Sequence, residues 1–119
     1  MKKADEKFPK EERLRRKRDF DRVYEEGSVY RTQHIVLFCL QKAVEGRKAG
    51  FVTSKKLGRA VLRNRTRRRL REAYRKLRAG LPERVHIVFV ARSGAVELEW
   101  EKLLGEVDTV LLKAGLKKP

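Results

Sequence analysis

The chain has 119 residues, a length that favours one domain with a modest core. It is 40% hydrophobic and carries 32 basic against 16 acidic residues, a net charge of +16; this excludes a low-hydrophobicity disordered chain and points to a polyanionic partner. No apolar run approaches the ~20 residues that cross a bilayer, and no secretory signal is visible, so a soluble cytoplasmic protein is expected, with no membrane partner.

Residues 1–12 are polar and read as a flexible N-terminus, with the folded domain spanning 13–115. Basic residues thicken at Arg13, Arg15 and Arg16. A short helix is predicted from Arg18 to Glu26, stopped by Gly27, with Phe20 and Tyr24 four apart on one face. Ser28 to Gln41 reads as extended, and His34 to Leu40 is apolar on both alternating faces, as in an interior strand. The lone Cys39 lies in that run; it can form no internal disulfide and reads as a small buried hydrophobe. A polar turn at Glu45-Gly46-Arg47 leads to a second strand, Ala49 to Ser54, so the two are expected to form a hairpin. A long helix from Leu57 or Gly58 to Arg78 follows, closed by Gly80 and Pro82. Arg84 to Ala91 is a third strand, rich in β-branched residues. The last helix runs from Glu97 to Ala114, with Val96, Trp100, Leu103, Leu104, Val107, Val110 and Leu111 on one stripe and its acids facing outward. The order is α-β-β-α-β-α, a single-domain α+β sandwich with no repeat and no linker.

The segment Ser54 to Arg78 holds twelve basic residues and one acid, Glu72, and so carries +11 of the net +16. On a helical wheel Leu62, Thr66, Leu70, Ala73 and Leu77 gather into a narrow core stripe flanked by Tyr74. Asn64, Arg68, Arg71 and Arg75 lie opposite, with Arg63 and Arg67 along one edge and Arg65 and Arg69 along the other. A solvated face normally interleaves acids to gain i,i+4 pairs of ~0.2–0.5 kcal/mol each, and here almost none are present. Arginine grips phosphate with paired hydrogen bonds and stacks on bases. The helix alone does not choose between the DNA major groove and an RNA surface. Phe20, Tyr24 and Phe38 read either as core or as walls of a cleft for a single strand, where a stacked base contributes ~1–3 kcal/mol.

The chain has no obvious catalytic group of its own. Its four aspartates, Asp5, Asp19, Asp21 and Asp108, show no two-metal grouping, His34 and His86 sit among apolar strand residues, and no Cys/His set has zinc spacing.

GFVTSKKLGRAVLRNRTRRRLREAYR, with its Ser-Lys-Lys-Leu-Gly turn at 54–58 and Arg-Asn-Arg triplet at 63–65, resembles the signature of the bacterial ribonuclease P protein component. RDFDRVYEEG upstream and VHIVFVARSGA downstream extend the resemblance from Leu14 to Leu112. The resemblance implies a ribosomal protein S5 domain 2-like fold with a left-handed β-α-β crossover, against the usual hand. It implies a subunit of the tRNA 5′-maturation endoribonuclease, in which a catalytic RNA with bound Mg²⁺ performs the cleavage. The protein would bind that RNA and the single-stranded 5′ leader of precursor tRNA, would not cleave alone and would bind no DNA; the Mg²⁺ would be held mainly by the RNA subunit, and no metal ligand is assigned in the protein. The residues implied to face the catalytic RNA are Lys55, Lys56, Arg59, Arg63, Asn64, Arg65, Arg67, Arg68 and Arg71. Phe20, Tyr24 and Phe38 would form the leader cleft, and Arg13, Arg15 and Arg16 would add RNA backbone contacts. His34 departs from the family pattern, which would take an apolar or aromatic residue there. The rival readings are a ribosomal or other structural RNA-binding protein, a protein nuclease whose acids meet in the fold, and a DNA-binding module.

Overall fold

The computed structural model describes residues 8–119. Three helices, α1 (Lys17–Glu26), α2 (Ala60–Leu77) and α3 (Trp100–Lys113), pack on one sheet built from β1 (Ser28–Arg31), β2 (Ile35–Leu40), β3 (Arg47–Thr53) and β4 (Val85–Ala91). The sheet order is β1-β2-β4-β3. β1 and β2 form an antiparallel hairpin, β2 and β4 are antiparallel, and β3 and β4 are parallel, joined by a crossover through α2.

The α+β architecture follows the sequence pattern, but two pairings differ from expectation. Ser28–Gln41 is two strands, not one, because the chain reverses at Thr32-Gln33-His34, where the Thr32 N–H donates to the Ile35 carbonyl at 2.9 Å. The expected hairpin of β2 with β3 does not form: β4 lies between them. The physical reason is burial. β4, VHIVFVA, is buried at six of its seven positions and takes a centre where both edges are hydrogen-bonded. β3 carries Arg47, Lys48 and Gly50 and suits the edge.

The alternation of strand side chains divides the core in two. On one face Ile35, Leu37 and Cys39 of β2 and Val85, Ile87 and Phe89 of β4 meet Leu70, Ala73 and Tyr74 of α2 and Leu103, Val107, Val110 and Leu111 of α3. Each fully buried side chain of this size contributes ~1.5–3 kcal/mol. On the other face Leu40 and Val88 meet Val23 of α1, with Phe20, Phe38, Val52 and Val90 half-covered at the margin. The helical stripe predicted for α2 is the buried one at Thr66, Leu70, Ala73 and Tyr74.

The domain begins earlier than residue 13. Phe8 is 8% exposed and sits edge-on to Tyr74 and Phe51, with ring centroids 5.5 and 5.8 Å away. The chain then turns through Lys10–Glu12 and runs along the free edge of β3, where the Leu14 N–H donates to the Ala49 carbonyl at 2.9 Å. Leu116, beyond the expected end at 115, is buried too. The part of the expected flexible segment before Phe8 lies outside the described residues. The acids of α3 do not all face outward: Glu106 accepts hydrogen bonds from the Thr32 hydroxyl at 2.6 Å and the His34 N–H at 2.9 Å, and its second oxygen lies 2.5 Å from His34 Nδ1.

Candidate nucleic-acid interface

The cationic surface starts at a tight turn. Ser54 Oγ accepts from the Lys56 N–H at 3.3 Å, Leu57 is buried, and Gly58 adopts φ +118°, a conformation L side chains rarely take. Lys55 and Lys56 are thereby held exposed at the entrance to α2. Arg59 caps α2 without a side-chain hydrogen bond, and the first turn holds no acid to complement the helix dipole.

The arginines of α2 divide into two groups. Arg63 donates to the Gly58 carbonyl at 2.7 Å, Arg67 to Thr53 Oγ1 at 2.6 Å and to Asn64 Oδ1, and Arg69 to the Leu98 carbonyl. These three are half-buried and satisfied by the fold, and burial together with the neighbouring Arg65 charge lowers the pKa of Arg69. Arg65, Arg68 and Arg71 are exposed and make no ion pair or hydrogen bond with another described residue. Asn64, Arg67, Arg68 and Arg71 overhang the half-buried ring of Phe51 to form a groove of about 340 Å³. Of the predicted residues, Asn64, Arg67, Arg68 and Arg71 therefore lie together, with Arg63 and Arg67 as brackets, while Arg65 is exposed along the other edge of the helix. Arg75, expected among the outward arginines, is partly engaged by Glu72 at 2.7 Å.

Phe20, Tyr24 and Phe38 form one strip on the sheet face opposite α2. Tyr24 lies edge-on to Phe38 with centroids 4.9 Å apart, and Phe20 follows at 6.5 Å from Tyr24. Tyr24 is 36% exposed, while Phe20 and Phe38 are half-buried over the second core cluster. The core and cleft readings thus both describe this strip: its underside packs and its upper side is open. Partial burial pushes the Tyr24 phenol pKa up, so the ring stays neutral and hydrogen-bonding at ordinary pH. Phe20 reaches across the sheet to β3 only because residue 50 is glycine; a Cβ there would lie 2.5 Å from its ring.

Arg15 and Arg16 are exposed before α1. Arg13 is bound to its own chain: it donates to the Phe8 carbonyl at 3.1 Å, with its guanidinium carbon 5.4 Å from the Phe8 ring centroid. Sequence reasoning missed Phe8, Glu12 and Arg78, which fix the arm ahead of α1. Glu12 accepts from Arg78 at 2.6 and 2.9 Å and from Arg47 at 3.3 Å, and Arg78 is only 7% exposed. Burial pushes the Glu12 carboxyl up, but the two guanidinium hydrogen bonds and charges outweigh it and hold the pKa below the usual carboxylate value. The one signal in the sequence was an isolated phenylalanine and a glutamate in a polar segment, whose partners lie far along the chain.

His34 and His86 are structural: His34 is tied to Glu106, and His86 Nε2 lies 3.1 Å from the Glu45 carbonyl, with burial lowering its pKa. Among the described residues no three His, Cys, Asp or Glu side chains converge as a metal site would require.

The sequence model of the ribonuclease P family matches residues 8–115. The ribonuclease P protein component of Desulfovibrio desulfuricans is 37% identical over 116 residues, covering 94% of this chain and 89% of its own. That of Dictyoglomus thermophilum is 36% identical over 113 residues, covering 93% and 94%. Among solved structures, the RNase P protein of Staphylococcus aureus superposes with a TM-score of 0.81 at 27% identity, over 90% of this chain and 98% of that one. A cationic helix with a single acid, an aromatic strip across the sheet and these relatives over nearly the whole chain agree: the chain belongs to the ribonuclease P protein family, the protein subunit of the ribonucleoprotein that processes tRNA 5′ ends.

Proposed function

We propose that the chain assembles with the catalytic RNA of ribonuclease P through Lys55, Lys56, Arg59, Asn64, Arg65, Arg68 and Arg71, with Arg63 and Arg67 fixing the shape of that face. The observation that carries this reading is that Arg65, Arg68 and Arg71 of α2 are exposed and form no ion pair or hydrogen bond with another described residue. They suit phosphates and unpaired bases on a folded RNA. The strip of Phe20, Tyr24 and Phe38 receives the single-stranded 5′ leader of precursor tRNA, with bases stacked on its open side. Arg15 and Arg16, with Arg13 as their structural bracket, contact the RNA backbone. The phosphodiester chemistry belongs to the RNA subunit with Mg²⁺. The protein works in the cytoplasm, where precursor tRNA is made; no helix among the described residues is long and apolar enough to cross a membrane.

Reconstitution tests the proposal. Protein and catalytic RNA are mixed with leader-bearing precursor at low Mg²⁺. Cleavage needs both components and protein alone gives none. Cleavage by RNA-free protein would overturn the division of labour. Equal affinity for DNA duplex and catalytic RNA would overturn the partner.

A further inference from the structure

The N-terminal arm ahead of α1 makes a second cationic surface, beside the aromatic strip. Lys10, Arg13, Arg15, Arg16 and Lys48 line an open groove of about 630 Å³, against two acids, Glu11 and Asp19. Lys48 and Gly50 are two apart on β3 and share a face, and Phe20 lies over Gly50. The groove therefore continues the strip past the edge of the sheet: Phe38 and Tyr24, then Phe20, then Lys48 with the arm.

An arm of this length has no reason to keep its cations in register unless something pins it. Two anchors do so. Phe8 is inserted among Phe51 and Tyr74, and Glu12 is clasped by Arg78 and Arg47. Between them and α1, Leu14 is buried and hydrogen-bonded to β3. An unpinned arm of like charges would swell away from the equally positive β3 edge.

Resting on the reading of the strip as the leader site, we propose that Glu12 is a positioning residue for precursor binding: it pins the arm so that Lys10, Arg15, Arg16 and Lys48 form a track for the sugar–phosphate backbone of the leader beyond the aromatic strip. The track reads no bases. It adds affinity that grows with leader length and falls with salt.

The test uses the assembled holoenzyme and two precursors, one whose leader ends on the strip and one whose leader runs past it. Affinity is measured for both across a salt series. Glu12→Ala lowers the ratio of long- to short-leader affinity several-fold, and the salt dependence of long-leader binding becomes shallower by about 0.7 for each phosphate the track no longer neutralises. The exposed double variant Arg15→Ala/Arg16→Ala, which threatens no packing, does the same. Adding Glu12→Ala to it gives less than the sum of the two separate effects, because both remove one track. A purely structural Glu12 would lower the melting temperature and leave the ratio and slope alone, and that result overturns the proposal. So does an unchanged ratio in the Arg15→Ala/Arg16→Ala protein. Phe38→Ala, run in parallel, separates the two levels. If it leaves precursor affinity untouched, the strip reading fails and the track loses its occupant. If it weakens binding while the arm variants do not, only the track fails.

Discussion

Gly50→Ala tests the aromatic strip without touching any of its residues. A Cβ at position 50 would lie 2.5 Å from Cζ and 2.6 Å from Cε1 of Phe20, and 3.4 Å from Cβ of Leu14. Carbon atoms settle at about 3.5–4.0 Å, so the ring must withdraw by about 1 Å while Leu14 stays. The ring tip is the mobile end of the side chain, and a displacement of that size needs a modest χ rotation, costing less than the ~0.5–1.5 kcal/mol of a full 30° departure from a rotamer. Replacing glycine inside a strand returns roughly 0.5–1 kcal/mol of chain entropy. The two nearly cancel, so stability should move by no more than about 1 kcal/mol. Binding should respond differently. A base stacked on an aromatic ring contributes ~1–3 kcal/mol, and a ring moved by ~1 Å loses a good part of that. The expected loss for leader-bearing precursor is about five- to tenfold, with little change for mature tRNA. Thermal melting and equilibrium binding of both RNAs read the two effects separately. The double variant Gly50→Ala/Phe20→Ala should bind like Phe20→Ala alone, since the clash has gone. Unchanged precursor binding by Gly50→Ala with Phe20→Ala also neutral would refute the claim that this ring meets the leader; a collapse in melting temperature would refute the claim that the ring can yield.

Arg65→Ala and Arg68→Ala should each weaken binding to the catalytic RNA and reduce the salt slope of that binding by roughly 0.7–0.9, because both are exposed and unpaired among the described residues; an unchanged slope removes that residue from the interface. Phe8→Ala should cost about 3–5 kcal/mol in denaturant unfolding, the usual penalty for an aromatic removed from a core, whereas a loose N-terminus predicts no change. Acid should loosen the contact of α3 with the β1–β2 turn. Burial pushes the Glu106 carboxyl up, but hydrogen bonds from Thr32 and from the ring and backbone of His34 outweigh it, so its folded pKa lies below the ordinary 4.5. A depressed carboxylate contributes stability that is complete above the unfolded pKa and is lost as pH falls through the folded one. Denaturant unfolding between pH ~6 and ~3 should therefore show a decline below about 4.5 that Glu106→Gln flattens, and an equally steep decline in that variant would discharge Glu106 from the role.

What the sequence made legible is local. The stripe Thr66, Leu70, Ala73 repeats at helical spacing, the run VHIVFVA has no polar side to offer solvent except His86, and the Arg-Asn-Arg triplet is read directly. What stayed hidden depends on partners distant along the chain. The turn at Glu45-Gly46-Arg47 has the chemistry of a hairpin, yet nothing in it says that a more apolar strand, some forty residues later, will take the place between β2 and β3. The reversal at Thr32-Gln33-His34 lacks glycine and proline, and its polar groups are satisfied by Glu106, 72 residues away from His34. Glu12 finds Arg78 66 residues on, so a glutamate that sets the domain boundary looks like part of a charged tail. The aromatic strip was half legible for the same reason: the i,i+4 spacing of Phe20 and Tyr24 was visible, while the fit of Phe20 over Gly50 was not.

Helix α2 is a local conflict that the fold resolves. Within its 18 residues, Arg63 and Arg67, Arg65 and Arg69, Arg67 and Arg71, and Arg71 and Arg75 stand at i,i+4, and Glu72 is the single acid. Like charges so placed cost roughly 0.2–0.5 kcal/mol a pair, so the sequence works against its own helix by about 1–2 kcal/mol. Three of these arginines, Arg63, Arg67 and Arg69, spend their donors on Gly58, Thr53, Asn64 and Leu98, which spreads the charge and ties the helix to β3 and to the approach to α3. The rest of the deficit is met by burial of the apolar stripe, to which Leu70 alone contributes ~1.5–3 kcal/mol. A helix kept for structure alone would have no cause to carry that cost, since exchanging Arg71 for glutamate would turn its i,i+4 contacts with Arg67 and Arg75 from repulsive to attractive and sacrifice no packing. The repulsion persists where its relief comes from outside the chain, and a polyanion laid along the exposed arginines is the partner that supplies it.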